Sequence, residues 1–150
     1  MVFILSSGAT FGLGEQNVIF ITCVQGLTNQ ATLRGITAEC NDVHPADVLM
    51  AVVQGIATSL GIATMVGIRD DQQICNSGRT YFSYDSFFDE YGALDQKVNA
   101  HLIRVPLQRK ELALIPAKHR ARTRRKRAFR DAVSNDVQQT LKPYLTGAHL

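Results

Sequence analysis

Residues 45–68 read PADVLMAVVQGIATSLGIATMVGI, and Gly61 divides them into a helix and a strand. Val48, Leu49, Val52, Val53, Ile56 and Leu60 recur at helical spacing, Pro45 suits a first helical turn, and Asp42-Val-His-Pro supplies capping groups. These signals predict a helix of about fifteen residues, the length of a buried helix lying across a sheet. Ala63–Ile68 follows as a buried strand. Val48–Ile68 carries no charge for about the length of a membrane span. Gln54, Thr58, Ser59 and Thr64, with Gly55, Gly61 and Gly67, interrupt it, so a helix and a strand are expected in place of a span.

On the N-terminal side, Val2–Leu5 and Asn17–Val24 are apolar, β-branched and aromatic runs around the Gly-rich turn GATFGLGEQ, which predicts a strand pair closed by Gln25-Gly26. Thr28–Glu39 reads as a short helix capped by Thr28 or Asn29. The resulting strand, helix, strand unit builds parallel or mixed sheets. On the C-terminal side RDDQQICNSGR is a polar loop, TYFSY a strand or turn, Asp85–Tyr91 a short helix stopped by Gly92, and His101–Leu107 a strand that Pro106 places at an edge or ends. Pro116 to about Lys142 reads as a long terminal helix closed by Pro143. The expected fold is α+β in one domain spanning residues 1–150, with a central mixed sheet flanked by helices and a long basic C-terminal helix.

Composition is that of a globular domain, at 45% hydrophobic and 19% charged. Charge is divided unevenly: residues 1–75 carry −4 and residues 76–150 carry +7. Anionic partners are therefore expected near the C-terminus. Cys23, Cys40 and Cys75 show no CxxC spacing, which suggests neither a disulfide framework nor zinc, and a reducing cytoplasm fits best. MVFILSSG lacks the charge and apolar length of a secretory signal. No Ser-His-Asp order, metal-ligand cluster or nucleotide fingerprint is present.

Within PAKHRARTRRKRAFR, residues 116–130, a helical wheel gathers Ala117, Ala121, Ala128, Phe129, Ala132 and Val133 on one face, with Lys118, Arg122 and Arg125 inside it. Arg120, Arg124 and Arg127 point outward on that wheel. Cations on a packing face need carboxylate partners, a bound anion or an exit for their tips. Lys118, Arg122 and Arg125 are thus candidate anion ligands, and Asp85, Asp89 and Glu90 are the carboxylates expected to make them structural instead. Arg79, after Asn76-Ser77-Gly78, sits in a loop of the type that cradles an anion or simply turns the chain.

His44, before Pro45, is a candidate general base or phosphate ligand as well as a helix cap. Tyr84-Asp85 would orient a substrate amine or transfer a proton, with Asp85 as N-cap and Tyr84 as packing residue the competing reading. Cys40 and Cys75 have no diagnostic nucleophile partners.

VIFITCVQG, LRGITAECNDVHPADVLMAVVQGIATSLGI, YFSYDSFFDEYGA and RKELALIPAKHRARTRRKRAFRD, in this order, resemble the C-terminal portion of the VirK/YbjX family of bacterial proteins. The resemblance implies a Gram-negative bacterial protein linked to virulence, envelope integrity or antimicrobial-peptide tolerance. The order strand, Gly-containing loop, helix, strand, aromatic helix, strand also resembles the core of GCN5-related N-acyltransferases. That resemblance implies coenzyme A or an acyl thioester as donor, its pyrophosphate held by backbone N–H groups near Gly26, Arg34, Gly35 and the Pro45 helix. The usual Gln/Arg-x-x-Gly-x-Gly/Ala loop is absent.

Two classes of function follow: an acyltransferase-like domain with a small-molecule ligand, and a non-catalytic envelope-response protein whose basic helix docks on an anionic membrane, polysaccharide or protein surface. The first is cytoplasmic, the second peripheral at the inner membrane. Nucleic acid is the weakest partner, because no aromatics interleave with the basic run.

Overall fold

The computed structural model describes residues 1–24, 30–72 and 82–145. Their elements are β1 (Val2–Ser7), β2 (Asn17–Cys23), α1 (Gln30–Glu39), α2 (Pro45–Ser59), β3 (Thr64–Gly67), α3 (Tyr84–Phe88), β4 (Ala93–Asp95), β5 (Ala100–Arg104) and α4 (Ala117–Leu145). The chain divides into two compact units, a sheet unit of residues 1–25 with 61–108 and a helical unit of residues 26–60 with 109–150. The α+β composition, the mixed sheet and the long terminal helix are as expected. Gly26, Arg79 and Cys75, together with the proposed caps Thr28 and Asn29, lie outside the described residues.

In the sheet unit the strand order is β1-β2-β3-β5-β4. β1 and β2 form the expected antiparallel pair, β2 and β3 run parallel, and β5 is antiparallel to both β3 and β4. The parallel pair needs a long crossover, and the segment that carries α1 and α2 provides it. Val18, Ile19, Ile21, Met65, Val66, Phe88 and Ile103 are fully buried. Since β5 lies between two strands, Pro106 ends it and does not mark an edge. The edge strand beyond β5 is β4, three residues that sequence periodicity is too short to reveal. Asp95 turns the chain from β4 toward β5 by accepting the N–H groups of Lys97 at 2.8 Å and Val98 at 3.0 Å.

In the helical unit, α2 begins and ends where its sequence signals lie. His44 is its N-cap, with Nδ1 accepting the Ala46 N–H at 3.2 Å, and Gly61 turns the chain out of it at φ 66°. The buried face is different from the expected one. Ala46, Met50, Val53 and Ala57 are buried, whereas Leu49 and Leu60 are each 37% exposed. Small side chains prevail because α4 comes close: a Cβ on Gly55 would stand 2.6 Å from the Ser134 carbonyl oxygen and 2.9 Å from Val137 Cβ. Gln54 Nε2 also donates to Ser134 Oγ at 3.3 Å.

This contact corrects the phase of α4. Stepping back from Val137 and Ser134 at helical spacing reaches Arg130, Arg127, Thr123 and Arg120, all partly buried. Ala117, Lys118, Ala121, Arg122, Arg125, Ala128 and Ala132 are exposed. Alanines carry too little apolar surface to set the packing direction, while arginine stems lie on the packed side with their tips led to carbonyls. Arg120 gives Nε to the Ile115 carbonyl at 2.8 Å and Nη2 to that of Ala113 at 3.0 Å, and Arg127 reaches the Lys110 carbonyl. Pro143 does not close α4, which continues to Leu145. Among the described residues no helix is long and apolar enough to cross a membrane.

Candidate functional site

The polar residues of the sheet unit converge on α3. Ser83 caps this helix by accepting the Ser86 N–H at 3.1 Å, so Asp85 is not the N-cap but a first-turn residue. Asp70 fixes the same end from outside, accepting the Tyr84 N–H at 2.6 Å and the Ser83 hydroxyl at 2.8 Å. Phe82, Phe87, Phe88 and Tyr91 supply the apolar side of α3, and the Phe88 ring covers Gly67, where a Cβ would come within 2.7 Å of it.

Tyr84 is 4% exposed, and its hydroxyl reaches the end of β2, where it accepts the Val24 N–H at 3.0 Å and faces Cys23 Sγ at 3.7 Å. The β2–β3 ladder has already stopped: its last pair is Ile21–Gly67, and the following Ile68 N–H to Ile21 carbonyl bond is stretched to 3.4 Å. The phenol thus stands beyond the carboxyl end of the sheet's parallel pair. Its pKa is raised above the ordinary 10.0, first by burial and further by Cys23 and Asp70, against the Val24 N–H that lowers it.

One residue along the helix, Asp85 accepts from His101 Nε2 at 2.8 Å. A carboxylate only accepts, so this contact requires the proton on Nε2. His101 is 1% exposed, pairs across β5–β3 with Gly67, and lies 5.8 Å, centroid to centroid, from the Phe88 ring. Its Nδ1 has no hydrogen bond but sits 3.5 Å from Asp89 Oδ1. Asp85 and Asp89, four residues apart on one face, therefore bracket the imidazole. Arg69 adds a cation, with Nε 4.0 Å from Asp85 and Nη1 bonded to Asn99 Oδ1 at 2.5 Å and 3.5 Å from Asp71. Among the described residues, Asp70, Asp71, Asp85 and Asp89 stand about this site against Arg69.

Of the residues anticipated from sequence, Tyr84 and Asp85 lie together here. His44 belongs to the helical unit, where it caps α2. Arg34 and Gly35 lie in the body of α1, where a residue's N–H is given to the carbonyl one turn back. Lys118, Arg122 and Arg125 are exposed on α4, and the carboxylate that meets the last two is Asp42, not the Asp85–Glu90 segment: Arg122 Nε at 3.4 Å and Arg125 Nη2 at 2.7 Å share one oxygen. His101, Arg69, Asp70 and the Val24 amide escaped sequence reading. A histidine in the apolar strand AHLIR and two aspartates four apart were the available signals. Among the described residues Cys23 and Cys40 are free, and no group of three or more His, Cys, Asp or Glu is placed to hold a metal ion.

The family described as "Protein of unknown function (DUF535)" matches residues 5–139. No curated protein and no solved structure matches the chain.

Proposed function

The chain belongs to the DUF535 family, which includes VirK/YbjX and whose description names no reaction; from its own residues we propose that the sheet unit transfers an acyl group from a thioester to an amine. The observation that carries this reading is the buried Tyr84 hydroxyl at the end of β2, past the last β2–β3 pair. In open sheets ligands gather outside the carboxyl ends of parallel strands, and β2 with β3 is the sheet's parallel pair. The element order β2, α1, α2, β3, α3 and the closing strands is the one on which the acyltransferase reading rests, together with Tyr84.

The chemistry needs one proton donor and one proton acceptor. The amine attacks the thioester carbonyl; the C–N bond forms and the C–S bond breaks. Tyr84 gives its proton to the departing sulfur, and the phenolate takes one from the amine nitrogen, which leaves an amide, a free thiol and an unchanged tyrosine. Burial keeps the phenol protonated at neutral pH, so the proton for the donor half of this exchange is present. The acidic surround of Asp70, Asp71, Asp85 and Asp89 draws a cationic amine, which gives one proton to water before its neutral form attacks. His101, clamped between Asp85 and Asp89, fixes α3 on β5 and so holds Tyr84 in place.

Titration calorimetry with an acyl-coenzyme A tests the donor. Saturable binding is expected for the full chain, and Tyr84→Phe should keep it while losing turnover, since the hydroxyl acts on the leaving group. No heat at millimolar ligand would overturn the reading.

A further inference from the structure

We infer that the outer face of α4, within the helical unit, docks on an anionic lipid surface. Between Lys118 and Arg130 stand eight lysines and arginines and no acid. Lys126 and Arg130 are partly buried, and the structure separates the other six into two groups with different tasks. Arg120 and Arg127 spend their guanidinium groups on the carbonyls of Lys110, Ala113 and Ile115, which fastens the preceding segment to the helix. Lys118, Arg122, Arg124 and Arg125 are exposed. Among the described residues only Asp42 meets any of these four, and its single carboxylate is shared by Arg122 and Arg125. A net positive face remains, interleaved with the exposed methyl groups of Ala117, Ala121 and Ala128.

Two features favour lipid over nucleic acid. Leu114, four residues before Lys118 in sequence, is 63% exposed, an apolar side chain of the kind an interfacial segment uses. The exposed cations alternate with alanines, and no Phe, Tyr or Trp stands among Lys118, Ala121, Arg122 and Arg125 for bases to stack on. Cations near an anionic leaflet bind it additively and lose that attraction with salt.

Asp42 competes with the lipid phosphates for Arg122 and Arg125. It sits in the left-handed region at φ 61°, directly after Asn41 at φ 56°, a conformation that asparagine adopts as readily as aspartate. Asp42→Asn thus removes the competing charge without new backbone strain. The inference does not depend on acyl transfer, since every residue it uses belongs to the helical unit.

Sedimentation of the full chain with phosphatidylglycerol–phosphatidylethanolamine vesicles, against pure phosphatidylcholine, tests it, with thermal melts confirming that each variant is folded. Binding is expected only to the anionic vesicles, falling as salt rises. Lys118→Gln with Arg122→Gln and Arg125→Gln should weaken it about fivefold for each charge removed, and Asp42→Asn should tighten it. Equal binding to both vesicles, an unaffected triple variant, or a folded Asp42→Asn protein that binds more weakly would overturn the inference. So would a DNA duplex or single strand that binds more tightly than the anionic vesicles at the same salt.

Discussion

At Tyr84 one side chain joins stability to the proposed chemistry. Burial raises its pKa above 10.0, so the unfolded chain releases this proton at a lower pH than the folded one. The folded state then holds more protons from about pH 10 up to the raised folded pKa, and stability falls as pH rises through that window, being fully present below it. Urea melts across this range should show wild type losing stability more steeply than Tyr84→Phe; parallel curves would contradict the assignment. At neutral pH the same variant should cost about 1–3 kcal/mol, because the buried Val24 N–H loses its acceptor. Tyr84 and Asp85 were visible in the sequence as an acid and a phenol opening an aromatic segment. His101 was not, because its partners are sixteen and twelve positions away and only the β3–β5 register brings it under α3. Local spacing carries no information about such pairing.

Among the elements, α2 was legible in its ends and misleading in its face. Pro45 and Gly61 acted locally and by their own backbone chemistry, so they marked its limits correctly. The packed face was decided by a neighbour: α4 approaches over Gly55, and that approach selects alanine, methionine and glycine over the leucines a helical wheel favours. The same contact reversed the reading of α4, whose packed phase follows from Ser134 and Val137 beyond the basic run. Gly55→Ala should therefore destabilise the protein by about 1–3 kcal/mol, since the new methyl meets backbone at Ser134 and the helices must separate. Ala57→Gly on the same helix would cost about 1 kcal/mol through helix propensity and a lost methyl. Chemical denaturation of the two variants checks the order; an undisturbed Gly55→Ala protein would mean that the close packing of α2 on α4 is wrong.

For the whole molecule, the division of charge was readable at once, and the structure gives it two addresses. Asp70, Asp71, Asp85 and Asp89 gather about α3 in the sheet unit, and the lysines and arginines of residues 118–130 line α4 in the helical unit. The strand, helix, strand pattern was equally plain, because strands around a crossover helix form continuous apolar runs. The function was not, because no motif in the chain names a reaction and the catalytic proposal rests on a hydroxyl placed by the fold. Its most direct test is release of free thiol from acetyl-coenzyme A, followed with and without a mixture of primary amines. The account predicts amine-dependent release that Tyr84→Phe slows by about 10²-fold or more while the protein stays folded. Thiol release that is absent, indifferent to amine, or unchanged in Tyr84→Phe would contradict it.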